Sequence, residues 1–108
     1  MSGNIQELKN SILELTLNIT KRINDIHDNF SDTNEFENDR VFFLMEDLST
    51  LFDGINSIVD ETNTIDLLEF SEKLGMMIEA LESNDEYLFH DVMIYELKPV
   101  LEGIYESI

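Results

Sequence analysis

Apolar residues recur along this chain in steps of three and four, the spacing that keeps them on one face of an α-helix. From Asn4 to about Asn29 they fall at Ile5, Leu8, Ile12, Leu15, Ile19, Ile23, Ile26 and Phe30, which predicts one long amphipathic helix. Leu13 and Leu17 widen the stripe, so this helix should meet more than one neighbour. Asn18, Thr20 and Asn24 lower its intrinsic propensity without breaking it. Residues 31–38 read as the first turn, with Asp32 and Glu35 spaced as a capping box. A second helix, starting between Thr33 and Asp39 and ending near Asp60, carries Val41, Leu44, Leu48, Leu51, Ile55 and Ile58. Gly54 lies inside it at a cost of ~1 kcal/mol relative to alanine, and a close helix crossing would account for its presence. Residues 61–64 form the next turn, with Asn63 and Asp66 as the cap pair. A third, shorter helix then presents Ile65, Leu68, Phe70, Leu74, Met77, Ile78 and Leu81. Nothing reads as a β-hairpin, because Asp53-Gly54 lies within a helical period.

Residues 81–108 are the stretch around which the rest is organised. Ser83 followed by Glu86 is spaced as a cap for a fourth helix. One face of it carries Tyr87, His90, Ile94, Leu97, Leu101, Ile104 and Ile108, and a second carries Leu88, Val92 and Tyr95. Phe89, Met93 and Val100 lie alongside. A surface helix needs one apolar stripe, whereas this one is apolar around much of its circumference. Pro99 has no N–H and its ring crowds the preceding turn, so the fourth helix should kink or restart there. Gly103 would admit close approach by another helix. Four helices with short connections favour antiparallel neighbours. The expected fold is all-α, an up-down-up-down four-helix bundle forming a single domain over residues 1–108.

If Leu88, Val92 and Tyr95 face the core, part of the set Phe89, Met93, Val100 and Tyr105 must lie on the surface. The expectation is an apolar interaction patch rimmed by Glu86, Asp91, Glu102 and Glu106. It would close a symmetric homodimer or receive a partner's amphipathic helix.

Charge selects among partners. Twenty-four acidic side chains against six basic ones give a net charge of −18. Residues 31–63 alone hold nine acids and one base. Such a field repels nucleic acid and anionic membrane and favours a basic protein partner. It also sets two copies of this chain against each other. The acids interleave with regularly spaced apolar residues, so the chain should fold and not remain disordered. There is no cysteine, hence no disulfide and no thiolate chemistry. The N-terminal residues lack the basic and apolar segments of an export signal, and no apolar run approaches the ~18–20 residues of a membrane span. The expected location is the cytoplasm.

Candidate chemistry is sparse. The two histidines each precede an aspartate, as His27-Asp28 and His90-Asp91. A His-Asp phosphohydrolase needs further His and Asp ligands. The di-iron pattern needs Glu three residues before each His, where this chain has Asn24 and Tyr87. His27 reads as an exposed residue near a helix end, and His90 as a satisfied core or interface residue. Glu96, on a largely apolar helix, needs a partner if buried; Lys98, Arg22, Lys21 or a tyrosine hydroxyl would serve. No Gly-rich loop, Ser-x-x-Lys, Gly-x-Ser-x-Gly or Walker sequence occurs. No catalytic residue, cofactor or metal site is therefore expected.

The segment His90-Asp91-Val92-Met93-Ile94-Tyr95-Glu96-Leu97-Lys98-Pro99-Val100-Leu101-Glu102 resembles the closing segment of a family of small, uncharacterised helical proteins of low-GC Gram-positive bacteria. In these an Asp is followed by an apolar pair, then Tyr-Glu-Leu, with a proline before Leu. The resemblance implies a bacterial cytoplasmic setting and no mechanism. In size and helical content the chain is also similar to flagellar or secretion chaperones, which wrap a partner's amphipathic helix. Three readings follow: an acidic interaction, scaffold or chaperone-like protein without catalytic activity; an acidic decoy that inhibits a nucleic-acid-binding protein; and a metal-binding protein or enzyme using its His, Asp and Glu residues. The first is preferred, because the distinctive feature is excess apolar surface, whereas a decoy needs mainly an ordered acidic face.

The charge imbalance makes a prediction of its own. The melting temperature should rise with added sodium chloride, since ~0.15 M salt shortens the reach of like-charge repulsion to ~8 Å. Divalent cations should raise it further at matched ionic strength. A flat or falling curve would mean that the acids are locally compensated.

Overall fold

A computed structural model describes residues 2–33, 38–58 and 67–108, with side chains from residue 6 onward. Among the described residues there are four helices and no strand. They are α1 (Ser2–Thr33), α2 (Asn38–Ile58), α3 (Leu67–Glu82) and α4 (residues 86–107). Helix α4 consists of an α-helical start Glu86–Asp91, a π-helical stretch Val92–Leu97 and an α-helical end Lys98–Ser107. At ~1.5 Å per residue, α1 alone accounts for the longest dimension of the molecule, 47 Å.

Consecutive helices run antiparallel, and so do α1 and α4. Ile12 packs on Gly54 while Arg22 pairs with Asp47, fixing α1 against α2. The rings of Phe52 and Phe70 meet edge to face at a centroid distance of 5.5 Å, which sets α2 against α3. Lys73 bonds Glu96 at 3.1 Å across α3 and α4. His27 reaches His90 across α1 and α4. Each helix thus packs against two others, the up-down-up-down arrangement expected from the sequence.

The core follows the apolar stripes, with informative departures. From α1 it takes Ile12, Ile19, Ile23, Ile26 and Phe30, but between the first two the buried residue is Thr16 and not Leu15. Its hydroxyl donates to the carbonyl of Ile12 at 2.7 Å, so a polar residue is buried without an unpaired group. Helix α1 continues to Thr33, four residues beyond the expected end, so Asp32 lies inside it and does not cap α2. Glu35, the turn at 61–64 and the cap pair Asn63 and Asp66 lie outside the described residues. Gly54 faces Ile12, but a methyl group there would stand 3.4 Å from its Cγ1, an ordinary contact, so the crossing is not close enough to require glycine. At Gly103 no described residue approaches within 4 Å, so the expected helix contact is not made among the described residues.

The cap of α4 is Asp85, not Ser83. Asn84 takes the left-handed conformation, φ 56°. The amides of Asn84 and Asp85 then donate to the carbonyls of Leu81 and Ala80, closing α3 in a Schellman motif. Asp85 directly starts the next helix, its Oδ1 accepting the N–H of Leu88 at 3.0 Å. Ser83 belongs to the closing turn of α3, its amide bonded to the carbonyl of Glu79 at 3.0 Å, so it does not begin α4.

The interruption expected at Pro99 takes the form of the π-helical stretch just before it. The N–H of Lys98 donates to Met93, five residues back. The wider turn makes room for a proline ring that would crowd the carbonyl of Tyr95 in an unbroken α-helix.

Two substitutions test this packing by reversible unfolding. Gly54→Ala should stabilise by about 1 kcal/mol, because the added methyl meets Ile12 at ordinary contact distance and removes glycine's helical penalty. Asn84→Val should destabilise by roughly 1–2 kcal/mol, the cost of a left-handed β-branched residue, while Asn84→Gly should hold stability. Equal stability of the valine and glycine variants would mean that the corner does not depend on that conformation.

Candidate functional site

The eight residues expected to form one patch on α4 are dispersed. Phe89 and Met93 are 0% exposed and belong to the core, which corrects their placement on the surface. Val100 is half-buried and packs against the same core. The apolar residues of α4 that do reach solvent near its start and middle are Tyr87, Leu88 and Tyr95. The reason is rotational: the π-helical stretch carries Phe89, Met93, Leu97 and Leu101 inward together. Tyr105, Glu102 and Glu106 remain associated, lining a hollow of ≈150 Å³ against Thr16, Leu17 and Thr20 of α1. Asp91 is exposed and its carboxylate meets His90. Glu86 lines a larger groove at the other end of the helix.

That groove, ≈350 Å³, opens between the first turn of α2 and the α3–α4 corner. Asn38, Val41 and Phe42 form one side; Ala80 and Leu81 with Asn84, Asp85 and Glu86 form the other. Val41 and Ala80 are buried, whereas Phe42 is 59% and Leu81 38% exposed. Sequence reasoning missed Phe42, although a signal was present. Val41 and Leu44, three apart, take the core positions of α2, and the two phenylalanines between them must then point outward. Phe42 and Phe43 meet edge to face at 5.6 Å, forming an aromatic ridge. Beyond it a hollow of ≈270 Å³ holds Arg22, Asp25, Ile26, Arg40 and Phe43. Its charge is balanced, since Asp25 lies in it and Arg22 pairs with Asp47.

The two histidines, 63 residues apart, come together nearby. Nδ1 of His27 and Nε2 of His90 are 2.6 Å apart, and the ring centroids 4.8 Å. The centroid separation is close to the N···N distance plus two ring radii, and the planes differ by only 17°. The imidazoles therefore lie edge to edge in a straight N–H···N hydrogen bond, and are not face-stacked. Phe30 covers His90 at 4.6 Å, and Tyr87 meets the edge of Phe30 at 5.4 Å. Nδ1 of His90 faces the Asp91 carboxylate at 3.3 Å and so carries a hydrogen. In the neutral pair Nε2 of His90 then accepts, and Nδ1 of His27 donates. A pair protonated on all four nitrogens would set N–H against N–H and lose the contact. Among the described residues no group of three His, Asp or Glu side chains could hold a metal ion. Glu96 does find a partner, but it is Lys73 of α3, which the sequence did not single out.

Long-range ¹H–¹⁵N spectra of the neutral protein should show both rings as Nδ1–H tautomers. An Nε2–H form of His90 with a neutral His27 would contradict this assignment.

No helix of the described residues is long and apolar enough to cross a membrane. No curated protein and no solved structure matches the chain. A family model described as a domain of unknown function, DUF8042, matches residues 7–107. That match takes in all four helices, the groove and the histidine pair, and the chain therefore belongs to the DUF8042 family.

Proposed function

We propose that this protein is a non-catalytic, acidic interaction module of the cytoplasm, scaffold- or chaperone-like, which holds a protein partner against the apolar ends of helix α4. The observation that carries the reading is the groove at the α3–α4 corner. Phe42 and Leu81 open into it, and among the described residues its charged lining is Asp85 and Glu86. Large side chains left in contact with water around a concave, acid-rimmed surface are the usual marks of a recognition site. The smaller hollow at Tyr105 repeats the chemistry, an exposed Leu17 and Tyr105 beside Glu102 and Glu106.

Affinity capture from the native cytosol tests the reading. The protein should retain a partner that the variant Phe42→Ser/Leu81→Ser loses while its circular dichroism stays helical. Both residues are exposed, so removing them should cost little stability. Recovery of the same proteins by both chains, or of none by either, would remove the groove from the function.

A further inference from the structure

We infer that the groove at the α3–α4 corner receives a basic segment of a partner protein, which inserts one or two large apolar side chains and sets Lys or Arg against Asp85 and Glu86. This rests on the interaction reading above and adds the chemistry of the occupant.

Size limits what enters. At ≈350 Å³ the groove is near the lower end of ligand pockets, which run ~300–1,000 Å³. It fits side-chain anchors and not the whole face of a helix. The site is apolar in depth and acidic at its mouth: Val41 and Ala80 lie buried beneath Phe42 and Leu81. Asp85 and Glu86 are both exposed, and so are Asp39 and Glu82, which follow the lining residues Asn38 and Leu81 in sequence. Among the described residues no Lys or Arg lines the groove. The asparagines Asn38 and Asn84 add amides able to donate and accept, suited to a peptide backbone.

Charge then chooses the occupant. A second copy would bring another −18 and only six basic side chains to a mouth that already holds carboxylates. A basic segment is drawn in by the same field and meets opposite charge at the rim. The arginine-containing hollow across the Phe42–Phe43 ridge does not reverse this preference, because Asp25 and Asp47 offset it.

The experiment uses the full chain and an array of fluorescently labelled peptides, each Lys- or Arg-rich with one or two Leu, Ile or Phe. Control arrays replace the basic residues by Glu, or the apolar ones by Ser. Basic, anchored peptides should bind, and both controls should not. Leu81→Ser should weaken binding roughly ten-fold, as the loss of an apolar contact at the centre of an interface does. Asp85→Asn/Glu86→Gln keeps a capping side chain at 85. It should flatten the salt dependence of binding while Leu81→Ser leaves that dependence unchanged. Binding that ignores both variants, equal binding of the acidic peptides, or no binding by any basic peptide overturns the inference. So does a dimer in light scattering that Leu81→Ser dissociates, since the occupant is then a second copy. In each of these cases a partner captured by the wild type and lost by Phe42→Ser/Leu81→Ser leaves the interaction reading standing. Absence of any groove-dependent partner removes both.

Discussion

Pro99 has no amide hydrogen to donate, and the geometry of helix α4 is arranged around that lack. The residues before it open into a π-helical stretch, where Lys98 bonds Met93 five residues back. This turn decides which side chains are core. Phe89, Met93, Leu97 and Leu101 are each 0% exposed, in successive steps of four. In an unbroken α-helix every such step rotates the face by roughly 40°, so the four would wind away from one another. The wider π-helical turn takes back part of that drift and keeps them on one line. The apparent excess of apolar residues on α4 is thereby absorbed into the bundle, and Leu88 and Tyr95 are turned out.

The same helix is tied at its start by two local devices. The two-residue corner formed by Asn84 and Asp85 ends α3 and begins α4 without slack, the amides of Asn84 and Asp85 finding carbonyls and that of Leu88 a carboxylate. A short corner keeps the end of α3 beside the start of α4, and both face the first turn of α2. The groove is the space left where these three helix ends fail to close over Val41 and Ala80. On the far side the hydrogen bond between His27 and His90 joins α4 to α1, with Phe30 laid against it. A polar contact at this position is costly to leave unmade, because His90 is only 8% exposed.

Electrostatics adds direction to this apolar framework. Most of the charge of −18 lies on outward faces, and among the described residues interhelical ion pairs join α1 to α2 and α3 to α4. Both pairs are part-buried at the protein surface, where a single ion pair contributes little stability, of order 0–1 kcal/mol. Their value in this fold is register, each lying where two antiparallel helices must stay aligned. The surplus carboxylates at the helix ends give the exposed apolar residues there a charged surround.

Helix number, helix order and the antiparallel packing were legible in the periodicity of Ile, Leu and Phe, because burial of one stripe per helix is enough to specify a bundle. The proline's effect on α4 was legible as an interruption but not as a π-helical turn. A one-residue change in winding leaves the composition untouched and re-aims every side chain around it, which is why Phe89 and Met93 read as surface. Val41 and Leu44 already implied that Phe42 points outward, but only the neighbouring end of α3 made that side chain the wall of a groove. The pairing of His27 with His90 and of Glu96 with Lys73 joins residues on different helices. Contacts of this kind are set by the register between helices, and sequence spacing within one helix carries no information about it. The sequence by itself therefore determined the helices and the sign of their charge. The tertiary structure decided which apolar residues remain in contact with water, because that depends on where helix ends meet.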